Sequence, residues 1–372
     1  MDVLVISDYY QPLKADQYFG GSEAFSIDTW KLMNKYGHKS YLLGPQDSLI
    51  KSNLFISWDS VSENAHKKMF SSRYVPSKGF NLDEIKNIDI GLVIVSTSSI
   101  TILKQIVQFF DCPIFYFHHR PIAYRNDIDF LQHVMSLKTN YSNLFVVAVS
   151  AYLQRVINRK LSGCIDSFIH LSYFEHEYNQ VFENYYDKLV VYTGRITIEK
   201  MIPDLLDIFR NSDYKLLMIG NPQFYPEKEI VWFNADFEKE LKNNKNFHYK
   251  ESMDRKRLFE YVRRSSLFFM PRHTYETFSL SAFEAQKLGI PVVCIVKHPP
   301  EAIQEYLVEN KTGFVINTFG SSVVKKKNEI LDVVDKAISL DRKWIFEWFH
   351  TNYSAENYVK SIFDLMIAFK AS

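Results

Sequence analysis

Glycine is short in this chain, with 12 in 372 residues against a usual share of about 7%. Glycines this scarce are expected where a side chain cannot be accommodated. Several fall where an apolar run gives way to a helical pattern: Gly20 and Gly21, Gly194, Gly220 and Gly289. Cysteine is scarcer. Cys112, Cys164 and Cys294 are odd in number and far apart, which excludes a disulfide framework and any CxxC or Cys/His zinc spacing. They are expected to be buried small hydrophobes in a reducing compartment. No charge of one sign prevails: 44 Lys and Arg against 43 Asp and Glu leave a net charge of +1. No global field therefore recruits nucleic acid or anionic lipid, and such a partner requires a local patch. Long apolar runs are missing too. The stretch from Ile90 to Phe110 is broken by Ser, Thr and Lys104, short of the ~20 apolar residues of a membrane span. The opening Met1-Asp2-Val3-Leu4-Val5-Ile6-Ser7-Asp8 reads as a strand with no basic n-region or cleavage site, which predicts no signal peptide. A soluble, cytoplasmic protein is expected (in the host cytoplasm if the gene is viral).

What is present is the composition of a globular chain, 47% hydrophobic and 23% charged. Its length suits two α/β domains of roughly 150–190 residues each. Aromatics reach 16%, and Asn, Lys, Ile and Tyr are abundant, the bias of an AT-rich coding genome such as that of a phage or a low-GC bacterium. In the first half, apolar β-branched runs predict strands at Val3–Ser7, Ser40–Leu43, Gly91–Ser96, Ile114–Phe117 and Leu144–Val149, alternating with helices at Glu23–Tyr36, Ile100–Phe110 and Ala151–Lys160. From Tyr173 to Asp187 the chain is acidic and aromatic without periodicity, a domain connection. The alternation then resumes, with strands at Leu189–Tyr192, Lys215–Ile219, Phe247–Tyr249, Leu267–Met270 and Val292–Val296, and helices at Ile202–Arg210, Asp254–Arg264 and Phe278–Leu288. Continuous apolar strands separated by helices imply parallel sheets covered on both faces. The division expected is an amino-terminal Rossmann-like domain, 1–172, and a carboxyl-terminal one, 186–350. A final segment, 351–372, is expected to pack its helix, roughly Ala355–Phe369, back on the first domain. Ligands of such sheets bind beyond the carboxyl ends of the strands, and two crevices facing one another would make a cleft.

Two clusters carry chemistry. In Gly194-Arg195-Ile196-Thr197-Ile198-Glu199-Lys200, a guanidinium and an ammonium leave one strand end together, the arrangement that stabilises a diphosphate leaving group. The ordinary alternative is a pair of surface cations. The second cluster, Glu276-Thr277-Phe278-Ser279-Leu280-Ser281-Ala282-Phe283-Glu284, sets two glutamates eight apart around a helix start. With the helix beginning near Phe278, the N–H groups of Phe278, Ser279 and Leu280 are first-turn donors, an anion site for a phosphate. Glu284, about two turns in, can accept both hydroxyls of a ribose. The alternative is a capped amphipathic helix with Glu276 as a dipole-favourable residue.

These runs resemble retaining GT-B glycosyltransferases of the family 4 type. Glu276 to Val293 is similar to that family's E-x7-E helix followed by a Gly-x-Pro-Val strand. Gly194-Arg195 with Lys200 is similar to its G-R-x4-K element, and Gly20-Gly21-Ser22-Glu23 to its G-G-x-E loop. The resemblance implies a GT-B fold of two Rossmann-like domains and transfer of a sugar from a nucleotide diphosphate-sugar, UDP being the commonest donor. It implies that Arg195 and Lys200 hold the diphosphate, Glu284 the ribose and Glu276 the sugar hydroxyls. Gly20 and Gly21 would let the backbone approach the donor. A histidine at a strand end would contact the sugar near the reacting carbon, His118 in Phe115-Tyr116-Phe117-His118-His119-Arg120, with His119 the second choice. No cofactor and no metal is expected, because the cations and helix N–H groups replace it. Asp127-Ile128-Asp129 spells the D-x-D metal motif of another glycosyltransferase fold but reads as a helix start. The family has glycines where this chain has Thr277, Ser279 and Met201, and side chains there are expected to narrow the donor pocket.

The acceptor is less legible. The run Lys67–Lys78 mixes bases with aromatics, and Arg120 and Arg125 flank the histidines. Such patches grip a nucleic-acid backbone or a lipid-linked phosphate, or are solvated faces. The HHR-x4-R stretch resembles phage DNA glucosyltransferases, which act on hydroxymethylated cytosine. A growing glycan or lipid-linked sugar is the competing acceptor. A catalytically weak scaffold that binds sugar nucleotides is the alternative of another class. A dehydrogenase is disfavoured, since no G-x-G-x-x-G follows the first strand.

Overall fold

The computed structural model describes residues 1–7, 13, 21–45, 48, 50, 52, 54–58, 82, 85–122, 125–172, 186–222, 227–271, 276–296, 302–318 and 323–371. The chain divides into two units, Met1–His176 with Tyr353–Ser372, and Glu177–Asn352.

The first unit holds a seven-stranded sheet of β1 (Asp2–Ile6), β2 (Ser40–Pro45), β3 (Phe55–Trp58), β4 (Ile90–Val95), β5 (Ile114–His118), β6 (Leu144–Ala148) and β7 (Ser167–Phe168), in the order β3-β2-β1-β4-β5-β6-β7. Every pairing is parallel. Val3 to Ile6 and Leu92 to Val95 are wholly buried on both faces, which is why these strands read as unbroken apolar runs. The crossovers are α1 (Gly21–Lys35), α2 (Ile100–Phe109), α3 (Arg125–Asn140) and α4 (Ala151–Lys160). Ser99 and Ser150 cap α2 and α4 by accepting the N–H of Ile102 and Leu153. The carboxyl-terminal helix, Ala355–Ala371, is part of this unit: the Tyr358 hydroxyl lies 2.7 Å from Thr29 Oγ1, and Phe369 stands edge-on to Phe145.

The second unit has a six-stranded parallel sheet of β8 (Leu189–Thr193), β9 (Lys215–Ile219), β10 (Phe247–Lys250), β11 (Leu267–Met270), β12 (Val292–Val296) and β13 (Gly313–Asn317), in the order β10-β9-β8-β11-β12-β13. Its helices include α5 (Ile202–Phe209), α6 (Glu227–Trp232), α7 (Glu238–Asn243), α8 (Arg255–Arg263), α9 (Leu280–Lys287), α10 (Lys327–Ile338) and α11 (Arg342–Asn352). Between sheet and helices lies a core of Val190, Leu205, Phe209, Leu216, Phe269 and Val334. Strands β3, β7 and β13 and helices α6, α7, α10 and α11 add to the elements expected from sequence. Helix α9 starts at Leu280, two residues later than expected, because Ser279 is its N-cap.

Among the described residues no helix is long and apolar enough to cross a membrane. Cys164 and Cys294 are buried, and burial pushes the Cys112 and Cys164 thiols up to about 11.

Candidate functional site

In the second unit the sheet order reverses between β8 and β11. The connections from these adjacent strands therefore leave to opposite sides and open a crevice at their carboxyl ends, the place where open α/β sheets bind ligands. The chain after β8 is the Gly194–Lys200 run, and the chain after β11 leads to Glu276. Topology thus brings together two motifs about 80 residues apart in the sequence: the Lys200 ammonium stands 3.5 Å from Glu276 Oε2, with both side chains about a quarter exposed.

The loop that carries the cations is built from its backbone outward. Gly194 and Gly220 lie at positive φ, and a Cβ on Gly220 would sit 1.8 Å from the Gly194 carbonyl oxygen. Glycine is therefore required for the ends of β8 and β9 to approach. The Tyr192 hydroxyl donates to the Arg195 carbonyl at 2.8 Å. The buried Glu229 carboxylate of α6 accepts the Ile198 N–H at 2.8 Å, and Thr197 Oγ1 accepts the Lys200 N–H at 3.1 Å. Met201 follows in the left-handed conformation, φ 57° and ψ 31°, as the residue that starts α5. That backbone explains the glycine of the resembled family. The expectation that the Met201 side chain narrows a donor pocket is corrected, since it is fully buried in the hydrophobic core with Ile196, Ile202 and Leu205. Arg195 is about half exposed, with Nη1 4.0 Å from Glu199 Oε2, so its guanidinium turns along its own loop while Lys200 turns to Glu276.

At α9 the expected set of amide donors is corrected at Ser279. The Ser279 N–H donates to the buried Tyr306 hydroxyl at 3.1 Å, while Ser279 Oγ caps its own helix at the Ala282 N–H. Ser279 thus uses its hydroxyl and its amide within the fold. Tyr306 packs with Phe278 and Phe283, which makes this turn part of an aromatic cluster. Thr277 is buried, and Phe278 is 6% exposed. Glu284 lies a little over one turn into α9 and meets Arg255, the first residue of α8: Nε and Nη2 lie 3.0 and 2.6 Å from Glu284 Oε1. The sequence reading missed Arg255, Tyr306 and Glu229. The first two meet their partners across 29 and 27 residues, with no local pattern to reveal them.

In the first unit, His118 ends β5 and is 2% exposed, its Nδ1 3.2 Å from the Tyr116 hydroxyl. Burial, with the Arg120 charge second, lowers His118 to about 4, and burial with the charges of His118 and Arg120 lowers His119 to about 3. Both imidazoles are neutral at physiological pH. Among the described residues the buried His118 Nε2 has no hydrogen-bond partner, and the His119 ring packs edge-on to Phe25 of α1. Arg120 is exposed, and Arg125 opens α3, with Asp127 in its first turn. Gly21 opens α1. Just inside it Glu23 is buried and its carboxyl raised by desolvation, with Ser22 Oγ donating to Oε2 at 3.2 Å. Gly20 and the Lys67–Lys78 run lie outside the described residues. Among the described residues, no group of three or more His, Cys, Asp or Glu is placed to hold a metal ion.

Residues 174–342, most of the second unit, match the family of glycosyl transferases group 1. Among solved structures the chain is similar to sucrose-phosphate synthase from Thermosynechococcus elongatus, at 16% identity and TM-score 0.73 with all of both chains covered. It is similar to Anabaena HepE in complex with UDP-glucose, at 11% identity and TM-score 0.69, covering 99% of this chain and 100% of that one. A glycosyltransferase from Rickettsia africae matches at 14% identity and TM-score 0.66, covering 99% and 98%. These likenesses establish the two-domain GT-B fold. A comparison with curated protein sequences finds no match.

Proposed function

We propose that the chain is a retaining glycosyltransferase, a reading supported by the match of residues 174–342 to the glycosyl transferases group 1. It moves a sugar from a nucleotide diphosphate-sugar, a UDP-sugar in the first instance, to an acceptor hydroxyl. The observation that carries the reading is the approach of Lys200 to Glu276 at the switch point of the second sheet, with Arg195 on the same loop. A departing diphosphate gains negative charge as the glycosidic bond breaks. A cation held at a strand end stabilises that charge more in the transition state than in the ground state. Lys200 and Arg195 take that role, Glu276 receives sugar hydroxyls and also orients the ammonium, and Glu284 receives the ribose. With the Ser279 amide given to Tyr306, the phosphate charge falls to the two cations and the Phe278 and Leu280 amides, and no metal ion is required.

Retention follows from the resemblance of the two motifs: the acceptor attacks on the face the diphosphate leaves, and the leaving phosphate takes the acceptor proton. Neutral His118 acts on the sugar as a hydrogen-bonding group and not as a cation. The acceptor is hydroxymethylated DNA, which the exposed Arg120 favours, or a glycan or lipid-linked sugar. Incubation with each UDP-sugar and each acceptor, followed by NMR of the product anomer, tests the reading. Product with the donor's anomeric configuration is expected, and an inverted product overturns the retaining assignment. The Ser279–Tyr306 bond favours a second reading, a sugar-nucleotide-binding protein with weak turnover. Donor binding without transfer to either acceptor is its signature.

A further inference from the structure

We infer that Arg255 is a positioning residue for the donor's ribose: it fixes the Glu284 carboxylate that meets the ribose hydroxyls. The inference rests on the ribose role of Glu284 given above. The Arg255 side chain is 3% exposed and that of Glu284 14% exposed. Nε and Nη2 both donate to one oxygen, Oε1. The guanidinium is itself held in place. Arg255 is the first residue of α8, whose N-cap Asp254 accepts the Arg257 N–H at 2.9 Å. One turn on, the Phe259 ring lies 5.4 Å from Arg255 Cζ.

The physical case lies in what such a pair does not supply. Desolvation of two buried charges offsets most of their attraction, so an ion pair of this kind contributes little net stability against apolar replacement of both partners, although removing one partner alone strands a buried charge. It does supply geometry. Two N–H donors in a rigid fork on one oxygen remove the freedom of a glutamate side chain that would otherwise sample several rotamers. A ribose-binding carboxylate held in advance loses less conformational entropy on binding. Lysine at this position keeps the charge but not the fork.

The test measures affinities for UDP, GDP and ADP and for their 2′-deoxy counterparts, with a thermal melt of each variant. The wild-type chain is expected to prefer the ribo form of one nucleotide by on the order of 10-fold, the size of a hydrogen bond to a charged group. Glu284→Ala erases that preference. Arg255→Lys, which keeps the charge, erases most of it while retaining the native melt, and Arg255→Met, which leaves the carboxylate unpaired, erases it with a lowered melt. Arg255 variants that keep the preference, or that lose affinity equally for ribo and deoxy forms, overturn the positioning role. So does loss of the native melt in Arg255→Lys, which makes the arginine a residue of the fold alone. Glu284→Ala that keeps the preference overturns the ribose assignment instead. Binding of none of the three nucleotides overturns the proposed donor site and this inference with it.

Discussion

Acidification is expected to destabilise the first unit through His118, and the size of the effect follows from its burial. The imidazole is lowered from 6.5 to about 4, by desolvation first and by the Arg120 charge second. In the unfolded chain it titrates near 6.5, so between those values the unfolded state binds the proton and the folded state does not. The contribution to stability is therefore complete above pH 6.5 and is lost as pH falls through about 4. A separation of roughly 2.5 units corresponds to about 3 kcal/mol at ~1.4 kcal/mol per unit. His118→Asn cannot titrate and keeps an acceptor for the Tyr116 hydroxyl. Urea unfolding of wild type and variant at half-unit steps from pH 7.5 to 4 isolates the histidine from the carboxylates that titrate in the same range. The stability difference between the two proteins should shift by about 3 kcal/mol in the variant's favour over that span. Parallel curves would refute the buried neutral imidazole. The same reasoning predicts that no inflection between pH 5.5 and 8 in the rate profile belongs to His118.

Gly220→Ala is expected to cost about 4 kcal/mol or more, because the added Cβ meets backbone, the Gly194 carbonyl oxygen, and not a side chain that can move. Chemical denaturation reads it, and a loss under 1 kcal/mol counts against the close approach of β8 and β9. Met201→Leu and Met201→Ile are matched in volume, yet isoleucine is expected to be less stable by about 1–2 kcal/mol, since a β-branched residue resists the left-handed backbone at φ 57°. Equal melting of the two variants contradicts that assignment. EDTA should leave transfer intact, and strict metal dependence would direct attention to Asp127 and Asp129.

The sequence made legible what is local and periodic. Val3–Ile6, Leu216–Ile219 and Val292–Val296 are unbroken apolar runs because both faces of each strand are buried, and such runs need no knowledge of their neighbours. Phe55–Trp58 and Gly313–Asn317 lie at the edges of their sheets, where one side carries no strand to impose the pattern, and they went unread. The site divides in the same way. Arg195, Lys200, Glu276 and Glu284 stand in contiguous motifs and were named from them. Arg255, Tyr306 and Glu229 act on those motifs from other elements, and only the fold pairs them. Met201 is the instructive case. Its departure from glycine was visible, but whether its side chain entered the pocket or the core depends on a backbone conformation that the residue type does not reveal.

Release of nucleoside diphosphate from a panel of UDP- and GDP-sugars, with hydroxymethylcytosine DNA and without it, tests the central claim when wild type is run beside Arg195→Ala and Lys200→Ala. Release from at least one donor is predicted, with turnover falling on the order of 10²-fold in each variant as a transition-state charge contact is lost. Release at near-normal rates in both variants would contradict the assignment of the leaving diphosphate to the loop after β8.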